Sequence, residues 1–173
     1  MDEQTPMAGR LKLRRATAAD VPFIMATERL DGYGELVGRW EADRHLAAFS
    51  DGRHAYFIAM AEGAPAGFAI LRNWASADRV TLVKRVAIAR PGQGFGTAMM
   101  RALVAEVFET TDAHRLWLGV FPDNLRARRA YEAVGFQAEG VARGSAFFQG
   151  EHRDELILSM LRPEWDDRRT HGL

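Results

Sequence analysis

A run of glycines at residues 90–97 is the stretch of this sequence best suited to chemistry. It reads Arg-Pro-Gly-Gln-Gly-Phe-Gly-Thr and lies between a β-rich segment, Val80–Ile88, and a long segment of helix-forming residues. Glycines let several backbone N–H groups converge on an anion, and a helix N-terminus adds unpaired donors and a favourable dipole. The spacing favours a phosphate site, and the alternative is a tight strand-to-helix connection without a ligand.

A second candidate is a helical segment that begins near Asn124. Tyr131 lies seven residues further on, almost two helical turns, so the two side chains share a face with Arg128 between them. That face suits a long, thin ligand, although Asn124 is equally suited to cap the helix. A phenol with a pKa of about 10 is protonated at pH 7 and can donate a proton to a leaving group. Tyr131 is therefore a candidate acid, with an ordinary core tyrosine as the alternative.

The elements that must position these residues follow from hydrophobic periodicity and turn signals. Seven strands are predicted at 11–16, 54–61, 66–73, 80–88, 116–121, 137–148 and 152–161. Four helices are predicted at 21–30, 39–49, 97–110 and 124–134. The order is β-α-α-β-β-β-α-β-α-β-β, and the crossover through the third helix implies that the strands on either side of it are parallel near neighbours. The predicted fold class is mixed α/β, with a central seven-stranded sheet in a single domain over residues 1–173.

Three smaller features complete the predicted layout. Residues 62–65 form a four-residue hairpin connection, and Gly135 is the glycine that follows the fourth helix. Residues 1–9 and 163–173 are polar and are predicted to be tails.

Composition narrows the class of protein. The 23 basic and 23 acidic residues cancel, so there is no basic surplus of the kind expected for nucleic-acid binding. The sequence has no cysteine, which excludes disulfides, thiolate metal ligands and a cysteine nucleophile. No apolar stretch approaches the roughly 20 residues of a membrane span, and the first residues lack signal-peptide features. We expect a cytoplasmic protein without a metal ion, and a homodimer is left open.

Two segments together resemble the GCN5-related N-acetyltransferase (GNAT) family, which moves an acetyl group from acetyl-CoA to an amine. The first is Val86-Ala87-Ile88 followed by residues 92–100, which looks like the family's pyrophosphate-binding motif. The second, residues 124–136, is similar to the signature Asn-x-x-Ala-x-x-x-Tyr-x-x-x-Gly-Phe and is the more specific. The order of elements also agrees with the GNAT fold. The sequence departs from the pattern at Pro91, where the family usually has Gln or Arg, and in a shortened approach to the loop.

The resemblance implies roles for individual residues. The backbone of the loop would bind the CoA pyrophosphate through Gly92, Gln93, Gly94, Phe95, Gly96 and Thr97. The N–H of Val86 would contact the acetyl oxygen, where negative charge develops during carbonyl attack, and Ile88 would lie beside the pantetheine arm. Asn124 and Arg128 would contact the cofactor. Tyr131 resembles the general acid that protonates the CoA sulfur.

The resemblance does not identify a base or an acceptor. The side chains that could serve as base are Glu28, Glu35, His152 and Asp154, and a water relay is a further option. Aromatic residues in the segments that usually flank the acceptor are Tyr33, Trp40, Phe147 and Phe148. Each of these is also an ordinary structural residue in another interpretation.

The function implied is transfer of acetyl directly to a primary amine on a protein N-terminus, a polyamine or a small molecule. One alternative is a non-catalytic sensor of acyl-CoA, and another is a transferase of a longer acyl group. A third, a dinucleotide-binding oxidoreductase, would need Gly-x-Gly-x-x-Gly after its first strand. Here Gly-x-Gly-x-Gly follows the fourth predicted strand instead.

Overall fold

A seven-stranded mixed sheet forms the centre of the structure, a computed structural model that describes residues 11–172. Its strands are β1 (Lys12–Arg15), β2 (His54–Ala61), β3 (Ala64–Arg72), β4 (Val80–Ile88), β5 (Arg115–Val120), β6 (Gln137–Phe148) and β7 (Glu151–Leu161). Their order across the sheet is β1-β2-β3-β4-β5-β7-β6. Neighbouring strands are antiparallel except β4 and β5, which are parallel. The predicted parallel pair and the mixed α/β class are confirmed, and the predicted tail at 1–9 lies outside the described residues.

Helices cover both faces of the sheet. They are α1 (Val21–Glu28), α2 (Ala42–Ser50), α3 (Phe95–Thr110), α4 (Leu125–Val134) and α5 (Arg162–His171). One apolar cluster joins α3 to one face through side chains such as Met99 and Leu103, and a second joins α1 and α2 to the other face. None of the helices within residues 11–172 is long and apolar enough to cross a membrane.

The predicted count of four helices was wrong, because residues 162–171 form a fifth helix instead of a polar tail. Trp165 is 9% exposed, and its ring lies 5.4 Å from that of Phe108. The Glu164 carboxylate accepts the backbone N–H of Leu161 at 2.8 Å, which is the usual bond of a helix start. A single buried aromatic therefore docks an otherwise polar helix.

Arg162 ties the start of α5 to the end of α3. Its guanidinium donates to the carbonyls of Phe108, Thr111 and Ala113 at 2.8, 2.7 and 2.8 Å. The last carbonyls of a helix have no intrahelical donor, and a cation is favourable at that end of the dipole. Arg162 supplies both the hydrogen-bond donors and the positive charge.

The β2–β3 hairpin is tighter than predicted. Ala61 pairs with Ala64, so the turn contains only Glu62 and Gly63, with φ of 52° and 79°. Two left-handed central residues match the twist of a hairpin. Pro65 was assigned to the turn because of its residue type, but it lies within β3 opposite Met60.

The sheet opens in its middle, between β4 and β5. These strands pair only from Val80 to Leu82 on β4, and β4 then runs on without a partner on that side. A bulge accompanies the opening, because Arg85 pairs with Ile70 while Val83 pairs with Leu71. Lys84 is therefore the extra residue of the bulge, which bends a strand and re-aims its side chain.

Backbone alternation directs two N–H groups of β4 into this opening. The N–H of Ala89 donates to Ala66 on β3 at 2.7 Å. Since successive peptide groups of a strand point to opposite sides, the N–H groups of Ile88 and Val86 point away from β3. They face the gap between β4 and β5.

Candidate active site

The opening between β4 and β5 widens into a cleft of about 1440 Å³. Ligand pockets usually enclose roughly 300–1,000 Å³, so this cleft has room for a large ligand and a smaller one together. Its walls come from the segment between α1 and α2, from β4 and its glycine loop, from α4 and from the β6–β7 hairpin.

The glycine loop presents free backbone donors to the cleft. Gly92 and Gly94 have φ of 91° and 75°, a left-handed conformation that favours glycine. Within residues 11–172, the first N–H of α3 with a backbone acceptor is that of Ala98, which donates to Gly94 at 3.2 Å. The preceding N–H groups, those of Phe95, Gly96 and Thr97, line a helix N-terminus that can bind an anion.

The loop residues differ in their access to the cleft. Gly92, Gly94, Phe95, Gly96 and Thr97 line it, together with Arg90 and Pro91. The predicted contact Gln93 does not line it. The effect of Pro91 on cofactor binding stays a prediction.

Helix α4 and its cap contribute Asn124 and Tyr131 to the cleft, as predicted, but not Arg128. The Asn124 carboxamide accepts the N–H of Ala127 at 3.2 Å, so it caps the helix, and the residue also lines the cleft. Arg128 does not line the cleft, and its Nε pairs with Glu132 one turn away at 2.8 Å. Arg126 and Arg129, which were not assigned to the site, do line it.

Tyr131 lines the cleft as predicted. Burial raises the pKa of its phenol to about 12, and the nearby Tyr33 adds to the rise. The hydroxyl therefore holds its proton at neutral pH, which is the state that a proton donor needs.

Tyr33 lines the cleft and spans it. Its hydroxyl donates to the carbonyl of Ile88 at 2.8 Å and accepts the N–H of Ile88 at 3.3 Å. The predicted aromatic of the acceptor pocket thus contacts the same backbone that was assigned to the pantetheine arm.

The other predicted aromatics also reach the cleft. Trp40 lines it, and the guanidiniums of Arg44 and Arg85 lie over its ring at 4.2 and 4.7 Å. Phe147 and Phe148 line the hairpin side, and Phe147 is 69% exposed.

The structure places none of the four predicted bases on the cleft. Glu35 is exposed, Asp154 accepts the N–H of Gly144 at 2.8 Å, and His152 lies against the ring of Phe147. Glu28 is fully buried on the α1 side of the sheet. The assignment of Glu35 and Asp154 as bases stays a prediction, and neither residue lines the cleft.

Two carboxylates that sequence reasoning missed line the cleft, those of Asp31 and Glu155, and Glu155 is the one held in place by neighbouring residues. Its Oε2 accepts the hydroxyl of Ser145 at 2.8 Å. Its Oε1 lies 2.6 Å from the place where a Cβ on Gly119 would stand, so a side chain at 119 would force the carboxylate to move. Alternation along β7 was the available signal, because it puts Glu155 on the face opposite the buried Leu156.

Glu28 instead anchors a buried polar cluster. It pairs with Arg85, accepts the N–H of Trp40 at 3.2 Å and lies 3.4 Å from Nε2 of His45. Gly38 makes room for this arrangement, since a Cβ there would stand 2.7 Å from the Arg85 guanidinium. The cluster fixes Trp40 and Arg85 at the wall of the cleft.

Removing the Glu28 carboxylate is expected to destabilise the protein strongly. Glu28→Ala leaves the buried Arg85 without its counter-charge, which costs about 3–5 kcal/mol when one partner of a buried pair is lost. Urea unfolding followed by circular dichroism measures the loss. Glu41→Ala is the control, because Glu41 pairs with Arg29 while its own side chain is 83% exposed, and we expect a loss of no more than about 1 kcal/mol. Equal losses in the two variants would contradict an energetic role for the cluster.

Metal ligation receives no support from the described side chains. Among residues 11–172, no group of three or more His, Asp or Glu is arranged to hold a metal ion. The sequence-based expectation of a metal-free protein stays a prediction.

Residues 23–136 match the Acetyltransferase (GNAT) family. That match covers more than half of the sequence, and the fold has the same mixed sheet, so the chain belongs to the GNAT family.

Individual relatives share shorter segments. The chain is 36% identical over 76 residues to the probable N-acetyltransferase YjcK of Bacillus subtilis (strain 168), a match that covers 44% of this chain and 42% of that protein. The chain therefore spans less than half the length of this curated relative.

Solved structures are similar over nearly the whole chain. Spermidine/spermine N-acetyltransferase SpeG from Vibrio cholerae superposes with a TM-score of 0.77 at 21% identity, over 94% of this chain and 98% of that one. The aminoglycoside acetyltransferase AAC(6')-Ib, in complex with paromomycin and acetyl-CoA, gives 0.78 at 22% identity, over 92% and 98%. At such identities the likeness shows the fold alone.

Proposed function

We propose that this chain is a single-domain N-acetyltransferase that moves the acetyl group of acetyl-CoA directly to a primary amine. The observation that carries the proposal is the cleft itself, where free loop N–H groups, the open edge of β4 and a protonated Tyr131 line one cavity. Family membership supports the same reading.

The residues of the cleft suit acetyl-CoA, which supplies the acetyl group as a thioester. The N–H groups of Phe95, Gly96 and Thr97 would hold the pyrophosphate at the start of α3. Three guanidiniums, those of Arg90, Arg126 and Arg129, line the cleft and add positive charge for the phosphates. The pantetheine arm would lie along the unpaired part of β4.

The reaction forms a C–N bond and breaks the C–S bond, while one proton leaves the amine and one reaches the departing sulfur. The N–H of Val86, which faces the gap, would stabilise the negative charge that develops on the carbonyl oxygen. Tyr131 would supply the proton to sulfur. The amine must be neutral to attack, and this calls for a base.

Glu155 is our candidate for that base, in place of Glu35 and Asp154. Its carboxylate is half-buried beside Gly119 on the cleft wall. Ser145 fixes one of its oxygens and leaves the other for an acceptor or a water molecule.

Glu155→Gln is expected to lower kcat/KM at pH 7 by roughly 100-fold, the lower end of the range for acid–base groups. Most of the loss should disappear by about pH 10, where alkylamines lose their proton without help. The measurement is a pH profile of acetyl transfer, with Asp154→Asn as the neighbouring carboxylate control. A loss that is equal at every pH would show a structural role for Glu155 instead.

An acceptor screen tests the proposed function as a whole. Acetyl-CoA is offered with amino acids, dipeptides, polyamines and aminoglycosides, and CoA release is measured against a protein-free background. Turnover with any amine supports the proposal. Acetyl-CoA binding without turnover favours the sensor, and faster turnover with propionyl-CoA favours the longer acyl group.

A further inference from the structure

We propose that the acceptor amine carries a carboxylate close to its reacting nitrogen, so that it resembles an amino acid more than a polyamine. This inference rests on the proposed function and concerns the part of the cleft between α2 and β4.

The charges on the cleft wall are strongly unequal. Two carboxylates line it, those of Asp31 and Glu155. Seven cations line it: Arg39, Arg44, Lys84, Arg85, Arg90, Arg126 and Arg129. The last three accompany the glycine loop and α4, where they serve the cofactor phosphates, and the first four lie on the α2 and β4 side.

These four cations are only partly neutralised. Arg85 pairs with the buried Glu28. No carboxylate within residues 11–172 lies within 4 Å of the charged nitrogens of Arg39, Arg44 or Lys84. The ring of Trp40 holds the guanidiniums of Arg44 and Arg85 above it, so the positive charge is fixed in place and not only solvated.

The lowered pKa of Lys84 reflects the positive charges around it. It is the bulged residue of β4 and it lines the cleft. Burial lowers the pKa of its amine, and Arg85, Arg72 and Arg44 lower it further against the opposing effect of Glu155. Burial would disfavour a charge of either sign, but the effect of the three arginines disfavours an additional cation in particular.

An acceptor with both charges satisfies this arrangement. Its ammonium group finds Glu155, which also takes the proton, and its carboxylate finds Arg44 and Lys84. A polyamine or an aminoglycoside presents several positive charges to the same wall and meets like charges instead. SpeG and AAC(6')-Ib are named for such polycations, so this chain differs from them in the acceptor that its cleft favours.

The test uses acceptors that differ in one charge. L-Ornithine is compared with its amide and with putrescine, which lacks the carboxyl group. Converting the carboxylate to an amide lowers the pKa of the neighbouring ammonium group. A larger fraction of the amide is therefore present as the neutral amine, and this effect alone would make the amide the better acceptor. Alanyl-glutamate and alanyl-glutamine, each as its C-terminal amide so that only the glutamate carries a carboxylate, form a second pair for a peptide acceptor. We expect kcat/KM to be at least about tenfold higher for the carboxylate-bearing member of one pair, with a smaller ratio at high salt.

A charge reversal assigns the preference to the cleft. Arg44→Glu should lower the ornithine-to-putrescine ratio by about tenfold or more, because one site charge changes sign near the acceptor. Arg101→Glu is the matched control, since Arg101 is exposed on α3 and does not line the cleft. Its ratio should equal that of the wild type.

Two results would overturn the inference. One is equal or reversed preference in both pairs, and the other is a ratio that Arg44→Glu leaves unchanged. Calorimetric titration of the CoA-loaded protein with ornithine and with its amide keeps this separate from catalysis. If no amine is acetylated, the proposed function fails, but tighter binding of ornithine still supports the acceptor class and equal binding refutes it.

Discussion

Tyr131→Phe is expected to lower kcat by about 100- to 1,000-fold, within the range for a lost acid–base group. The dissociation constant for acetyl-CoA should stay within about twofold, because the phenyl ring retains the packing and only the proton donor is removed. Steady-state kinetics and calorimetry measure the two quantities. The pKa of Tyr131, raised to about 12, also fixes the direction of the pH dependence. The phenol loses its proton only as the pH rises through that value. The wild-type rate should therefore show no decline due to Tyr131 up to about pH 10, below that pKa.

A control separates this effect from the general loss of a hydroxyl. Tyr56 does not line the cleft and lies 3.1 Å from Nδ1 of His45, so Tyr56→Phe should lower stability without a comparable fall in kcat. Unchanged turnover in Tyr131→Phe would remove Tyr131 as the acid.

Gly94→Glu should weaken acetyl-CoA binding by about 100-fold or more. A carboxylate beside the start of α3 meets the pyrophosphate with like charge, and the left-handed φ of 75° adds strain of roughly 1–2 kcal/mol for any side chain. Calorimetric titration with acetyl-CoA measures the loss, and circular dichroism verifies that the variant is folded.

Two further variants separate the effect of the added negative charge from the effect of backbone strain. Gly94→Ala carries the strain without the charge and should bind acetyl-CoA more tightly than Gly94→Glu. Gly63→Glu repeats the substitution at a left-handed glycine of similar φ, 79°, in the β2–β3 turn away from the cleft. Retained binding in a folded Gly94→Glu protein would refute the assignment of the loop.

Local patterns predicted most of the framework. The bounds of β2 and β4 agree with the structure because each segment is rich in apolar and β-branched residues between turn signals, and those of β6 agree because glycines at 135 and 150 mark the turns beside it. Helix α5 was missed because its composition is polar, and its docking depends on long-range contacts of Trp165 with Phe108 and of Arg162 with the end of α3. The predicted start of β3 was wrong because Pro65 was assigned to the turn from its residue type. In the structure Ala61 pairs with Ala64, so β3 already includes Pro65.

Residues of the candidate site could be predicted only where they belong to a continuous sequence motif. The glycine loop and Tyr131 belong to continuous motifs, and both line the cleft. Arg128 shares the helical face of Asn124, but its pairing with Glu132 depends on the competition between side chains along α4. Glu155 reaches the cleft because residue 119, on another strand, lacks a side chain. Alternation along β7 indicates the face on which Glu155 lies, but a single sequence does not show which residue of the neighbouring strand it meets.

The contact between Tyr33 and Ile88 has a consequence for self-association. A strand without a neighbour offers a row of free donors and acceptors to any extended chain, which is the usual hazard of a sheet edge. Here such an edge lies inside the molecule, along the part of β4 beyond Leu82. The Tyr33 hydroxyl occupies both polar groups of Ile88 and so blocks the outer end of that edge. The Tyr33 hydroxyl therefore leaves fewer free polar groups at this end of β4 for another extended chain to pair with.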